Sequence, residues 1–139
     1  MQTFLPYPNF AESARVLDYR RLEKQRVEAK QIYLALTQPN YGWKNHPAVR
    51  MWKGHERNLI EYGFVICDEW QRRGYQDTLK QFFMDHSLDY RTPPIYPLWL
   101  GNSDFHLSHQ SNLLRKDPKF YGPKFPGVPN NLPYIWPEP

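Results

Sequence analysis

Five polar residues recur at helical spacing between positions 21 and 31: Arg21, Lys24, Gln25, Glu28 and Gln31. At about 100° per residue and with Arg21 set at zero, Gln25 falls near ~40°, Glu28 near ~−20°, Lys24 near ~−60° and Gln31 near ~−80°. One helix face would then carry a carboxylate, an amine, a guanidinium and two amides. Leu22, Ala29 and Tyr33 lie to one side of it, Val27 and Leu34 to the other, and Glu23, Arg26 and Lys30 project from the far side. A polar stripe between two apolar flanks suits a helix that lines a cleft. In a cleft, Arg21, Lys24 and Gln25 are close enough to Glu28 to hold it ionised and positioned. The plain alternative is a run of surface ion pairs worth ~0.3–0.5 kcal/mol each.

Other residues could reach a polyanion. Residues 15 to 30 hold Arg15, Arg20, Arg21, Lys24, Arg26 and Lys30, and a second basic group, Arg115, Lys116, Lys119 and Lys124, is interleaved with Phe120, Tyr121 and Phe125. Basic side chains mixed with aromatic ones suit phosphates and stacked bases, although each group also fits a solvated face. Asn45 and His46 could touch a nucleotide, with Asn45 equally suited to a helix N-cap. His106 and His109, three residues apart, could contact phosphate. They could also join His46 and His55 around a metal, but no cysteine or carboxylate spacing supports that reading, and no metal is expected.

These residues need helices to hold them. Asp18 is a good N-cap for a helix to about Leu36, where TQPNYG ends it, and Asn9 to Val16 could form a short lead-in. Asn45-His46-Pro47 predicts a second helix start. Trp52, Leu59, Ile60, Gly63, Phe64, Cys67 and Trp70 then keep a helical period to about Arg73, with a break possible at Gly54. A shorter helix is expected near Thr78 to Met84, and Asn102 or Ser103 opens a last one to about Lys116. The stretch RTPPIYPLWLG is too proline-rich for regular structure. The first ten residues read as an extended arm, and the chain beyond Lys116 as a proline- and aromatic-rich coil whose Tyr134, Ile135 and Trp136 favour packing on the body. The expected fold is all-α: a compact single domain over residues 1–139, with about three main helices.

The bulk properties agree. A chain of 139 residues can bury a full core without disulfides, and 40% apolar and 17% aromatic content rule out a disordered chain. The mean hydropathy of −0.79 and the lack of an apolar run near ~20 residues exclude a membrane span. No signal-peptide pattern opens the chain, and the single cysteine, Cys67, reads as a reduced core residue, so a cytoplasmic protein is expected. A net charge of +4 and a pI near 9.2 are compatible with an anionic partner without requiring one.

Four segments together resemble the pyrimidine-dimer DNA glycosylase and apurinic-site lyase family, of the phage endonuclease V type, over most of the chain. They are RRLEKQRVEAKQI (20–32), GWKNHPAVRMWKGH (42–55), YGFVICDEWQRRGY (62–75) and FHLSHQSNLLRKDPKFYGPKF (105–125). The resemblance implies a compact helical protein, acting as a monomer without cofactors, that bends double-stranded DNA, extrudes a nucleotide and acts on a damaged or modified pyrimidine. It also implies a primary amine that displaces the base and forms an imine, and a glutamate that stabilises the cationic intermediates and assists strand cleavage. Arg115, Lys116, Phe120 and Tyr121 would meet the phosphates and the distorted duplex, together with Arg26, Gln25, Gln31, Asn45, His46 and His109.

Two assignments stay open at this level. An α-amine with a reference pKa near ~7.7 is roughly one-sixth neutral at pH 7, whereas a lysine near ~10.4 is neutral in roughly one part in a few thousand. A chain terminus is thus the readier nucleophile, unless the surroundings of Lys24 lower its pKa. The chain begins Met1-Gln2, a poor context for methionine removal, so the terminal amine is expected on Met1. For the carboxylate, Glu23 is nearest to the family's pattern by counting, while Glu28 falls on the cleft side of the wheel and is preferred. A non-catalytic binder of DNA structure, an enzyme on free nucleotides and a metal-dependent hydrolase are the competing functions.

Overall fold

The computed structural model describes residues 1–87 and 95–139, and among these residues it contains seven helices and no strand. They are α1 (Phe10–Val16), α2 (Tyr19–Thr37), α3 (Pro47–Arg50), α4 (Glu56–Arg72), α5 (Lys80–Ser87), α6 (Ser103–Lys116) and α7 (Pro118–Tyr121). The three long ones, α2, α4 and α6, correspond to the three main helices expected from the sequence. Residues 91–94 of the proline-rich stretch lie outside the described residues, and Leu98–Gly101 form turns.

Local chemistry explains most boundaries. Asn9 accepts the Glu12 N–H at the start of α1, Asp18 that of Arg21 at the start of α2, and Asn102 that of Phe105 at the start of α6. The second expected helix is divided. Its first turn is α3, and the chain then passes through Gly54 at φ +83°, a left-handed conformation that glycine tolerates, before α4 begins. The cap of α3 is His46 rather than Asn45: Pro47 occupies the first helical position, and the imidazole Nδ1 accepts the Ala48 N–H at 3.0 Å. Asn45, one residue further out, is exposed. The short helix starts later than expected, because Asp77 accepts the N–H groups of Leu79 and Lys80 ahead of it.

Helix α4 is central, packing against α1, α2 and α5. Its apolar face includes Leu59, Tyr62, Ile66 and Cys67, all shielded from solvent, and burial pushes the Cys67 thiol well above its ordinary pKa. Gly63 is required on this face because a Cβ there would stand 2.2 Å from the Phe83 ring of α5. Trp52, Trp99 and Phe105 extend the core, with ring centroids about 5 Å apart.

The N-terminal arm is extended, as expected, yet it runs through the core. Thr3 and Leu5 are fully buried. The Leu5 N–H donates to His109 Nδ1 at 2.9 Å, and His106 Nδ1 donates to the Leu5 carbonyl at 2.7 Å. Gln110 donates to Pro6 O and Trp52 Nε1 to Thr3 Oγ1, and the Tyr62 hydroxyl oxygen stands 2.9 Å from Phe4 O. The C-terminal coil is fastened to the body as well. Asn112 donates to Leu132 O, Ser111 and Ser108 accept the N–H groups of Leu132 and Ile135, and Arg50 pairs with Glu138 at 3.0 Å. No helix among the described residues is long and apolar enough to cross a membrane.

Candidate active site

The arm and helix α2 meet at Gln25, which is 1% exposed. Its Oε1 accepts the Phe4 N–H at 2.8 Å and the Tyr62 hydroxyl at 2.6 Å, and its Nε2 donates to the Gln2 carbonyl at 3.0 Å and to Glu28 Oε2 at 2.9 Å. The same Glu28 oxygen accepts the Gln2 backbone N–H at 3.2 Å. One amide side chain thus orients the carboxylate and locks the arm beside it. A polar side chain this deeply buried is tolerated because every hydrogen-bonding direction is used.

Met1 lines the same cleft as the half-buried Glu28, and the Gln2 N–H that Glu28 accepts belongs to the peptide unit next to the terminal amine. The cleft has a volume of about 1310 Å³ and is also lined by Arg21, Lys24, Gln31 and Lys116. His46 borders the same region. Burial lowers its pKa first, the positive terminal amine lowers it further, and Glu28 opposes both. Trp136 packs on His46 with ring centroids 6.0 Å apart and Tyr134 packs on Trp136 at 5.4 Å, so the C-terminal coil walls the cleft. Burial raises the Tyr134 phenol to about 12, leaving it protonated at neutral pH.

The other residues of the stripe take different places. Arg21 pairs with Asp18 at 3.1 Å rather than with Glu28. Asp18 also accepts the Tyr121 hydroxyl and donates its own N–H to it at 2.9 Å. Burial works to raise the Asp18 pKa, but the Tyr121 and Arg21 hydrogen bonds outweigh it and hold the carboxyl below its ordinary range. Lys24 and Glu23 are exposed at the rim, Gln31 is half-buried, and Lys116 and Phe120 stand on the opposite wall. Lys124 lies over the Phe120 ring, 4.5 Å from its centroid.

Several expected positions are corrected. Val27 is 43% exposed and lines the cleft, so it is no apolar flank, while Ile32, near ~20° on the same wheel, draws the Gln25 side of the stripe into the core. Arg26, expected on the solvated side and as a DNA contact, is buried. Its guanidinium pairs with Asp77 at 2.7 Å and lies over Trp70 at 4.9 Å. His109 cannot reach phosphate, because it is 1% exposed and holds the Leu5 N–H, and burial lowers its pKa to about 3. Tyr121 is likewise buried on Asp18 and stacked with Phe125. Arg115 is exposed, but its guanidinium is occupied by Asn130 O and Asn112 Oδ1. Gln2, Tyr134 and Trp136 are site residues that sequence reading does not single out, although the buried pair Phe4-Leu5 is a signal that the arm belongs inside. Among the described residues no group of three or more potential ligands is placed to hold a metal ion.

The molecule is therefore an all-helical protein in which a chain terminus and a carboxylate share one basic-rimmed cleft. A family model described as pyrimidine dimer DNA glycosylase matches residues 1–82, more than half the chain, and the protein belongs to that family. The matched stretch contains the arm, Gln25, Glu28 and His46, and stops short of α6. No curated protein and no solved structure matches the chain.

Proposed function

We propose that this protein excises a damaged pyrimidine from duplex DNA and then nicks the strand, with the Met1 amine as nucleophile and Glu28 as the assisting carboxylate. The observation that carries the reading is the bond from the Gln2 N–H to Glu28 Oε2, which ties the first peptide unit to the carboxylate at the cleft. Membership of the family supplies the substrate class. The neutral amine attacks C1′ of the damaged nucleotide, the glycosidic bond breaks with its electron pair leaving on the base, and the base takes up a proton. The bonded amine gives up a proton, its lone pair forms the C=N bond as the C1′–O4′ bond breaks and O4′ takes up that proton, and the Glu28 carboxylate offsets the positive charge of the resulting protonated imine. Transfer of a C2′ proton to the carboxylate expels the 3′-phosphate, and water hydrolyses the imine. Lys24 and Lys116 on the rim suit phosphate contacts, and Asn45 and Gln31 remain candidate contacts to the nucleotide.

The test is borohydride reduction in the presence of duplex DNA carrying one cyclobutane pyrimidine dimer, or an abasic site. A covalent adduct whose peptide map ends on Met1 is expected. Absence of any adduct while binding persists would leave a non-catalytic binder, and an adduct on Lys24 would reassign the nucleophile. Glu28→Gln should lower turnover by about 10²–10⁴-fold with binding retained. A larger loss in Glu23→Gln would move the carboxylate assignment to Glu23.

A further inference from the structure

Two polar groups that line the cleft are left unused by the fold. Gln2, the residue next to Met1, is 6% exposed. Its side-chain oxygen accepts the Thr3 N–H at 2.9 Å, which fixes which end of the amide is the oxygen, and its Nε2 has no hydrogen-bond partner. A buried donor without an acceptor costs free energy, so its presence calls for a use. The second group is the Tyr134 hydroxyl, which lines the same cleft and whose proton no acceptor takes among the described residues.

The two groups belong together. Tyr134 is pinned on both sides, Leu132 being held by Ser111 and Asn112 and Ile135 by Ser108. Its ring packs on those of His109 and Trp136, each with centroids 5.4 Å apart. Burial keeps the phenol protonated, the Gln2 amide acts on it as a donor without reaching ordinary hydrogen-bond geometry, and the charges of Arg21 and Glu28 reach it as well. An amide donor at the phenol oxygen leaves the O–H free to donate to a molecule bound in the cleft that holds Met1 and Glu28.

We propose that the Tyr134 hydroxyl donates a hydrogen bond to O2 of the pyrimidine being released, and that the Gln2 amide is a positioning group that closes on the phenol oxygen behind it. The proposal rests on the glycosylase reading above. O2 is the acceptor on the minor-groove edge of a pyrimidine, and it stands beside the glycosidic bond that the amine must displace. When that bond breaks, its electron pair goes to N1 and is shared with O2 through C2. In a cyclobutane dimer the 5,6 double bond is gone, so O4 is cut off from N1 and O2 is the carbonyl that receives the charge. A donor placed there holds the departing base more strongly than the intact substrate, which lowers the barrier to excision. The phenol keeps its proton in this step, and its contact with Gln2 tightens only with substrate in place, as catalytic hydrogen bonds commonly do.

Tyr134→Phe keeps the ring and its packing and removes the donor. Two rates are compared for each protein: single-turnover cleavage of the glycosidic bond in a duplex with one cyclobutane pyrimidine dimer, and borohydride trapping on a duplex abasic site, which has no base to release. The ratio of the first to the second should fall about 10- to 150-fold in Tyr134→Phe, the worth of one hydrogen bond to a charged group. The melting temperature should stay within about 2 °C of the parent's, because the hydroxyl proton has no acceptor inside the protein. Gln2→Met, which keeps a long side chain without the amide, should lower the ratio less, and the double variant should match Tyr134→Phe, since the amide acts through the phenol. Additive losses in the double variant would overturn the role of Gln2. An unchanged ratio in Tyr134→Phe overturns the donor, as does an equal loss in both rates, which would place the phenol at the imine instead of the base. A parent protein that cleaves no glycosidic bond refutes the glycosylase reading and this proposal with it, whereas a parent that both cleaves and traps leaves Tyr134→Phe to decide the donor alone.

Discussion

Replacing Gln25 with leucine tests the link between the arm and the carboxylate. The side chain makes four hydrogen bonds, but the losses are unequal. The Tyr62 hydroxyl can turn its one proton from Gln25 to Phe4 O, 2.9 Å away, and Glu28 Oε2 still accepts the Gln2 N–H. The Phe4 N–H and the Gln2 carbonyl, both buried, lose their partner outright. Two orphaned groups at ~1–3 kcal/mol each, partly offset by the extra apolar surface of leucine, give a destabilisation of about 2–4 kcal/mol. For a chain of this length that is a fall in melting temperature of roughly 6–12 °C by calorimetry. Because the arm carries the amine, trapping on an abasic site should slow by about 10- to 100-fold even well below the melting midpoint, the cost of misplacing a reacting group by about an ångström. A melting temperature within about 2 °C of the parent would refute the hub as the arm's anchor. A trapping rate within about twofold, despite the loss of stability, would refute the idea that the hub positions the amine.

Acid should unfold the protein through His109. Its pKa is about 3 in the fold against 6.5 for the free group, so the unfolded chain binds the extra proton, and stability is complete above pH 6.5 and declines as pH falls toward 3. The loss is about 2 kcal/mol by pH 5, read by denaturant titration, and His109→Asn, which keeps an acceptor for the Leu5 N–H, should flatten that limb; an identical slope in both proteins would exclude His109 as its source. Asp77→Asn leaves the buried Arg26 guanidinium without its carboxylate and should cost about 3–5 kcal/mol, whereas the double variant Arg26→Met/Asp77→Asn should cost less than Asp77→Asn alone. Gly63→Ala should destabilise by about 1–3 kcal/mol despite alanine's better helix propensity, because its methyl meets the Phe83 ring; a gain in stability would mean that the α4–α5 contact yields easily.

The parts of this molecule that were legible in its sequence are those fixed by neighbours in the chain. Asp18, Asn9 and Asn102 act as caps because a side chain three residues ahead of an N–H can reach it in only a few ways. The 3.6-residue period of α4 and the helix-breaking prolines were equally local. Glu28 stood out by its place on a wheel, and its contact with Gln25 at one turn's distance was foreseeable. What misled was any residue whose surroundings come from far along the chain. Arg26 reads as a solvated cation until Asp77, 51 residues later, is folded against it. His109 and Tyr121 read as surface groups until the arm and Asp18 reach them. Phe4 and Leu5 mark the arm for burial, but its seat could not be derived from its own ten residues, because its hydrogen-bonding partners include residues of α2, α4 and α6.

The seat of the arm is completed late in the making of the molecule. Leu5 is gripped by His106 and His109, 101 and 104 residues downstream. At ~5–20 residues per second, roughly 5–20 s of translation separate the arm from its clamp. Throughout that interval Leu5 lacks the histidines that grip it, and contacts this distant in sequence are among the slowest to form. The arm therefore reaches its place against α2 and α6 only after α6 has been made. A truncated product lacking α6 would carry the same amine and the same glutamate without the histidines that bring the arm to its seat.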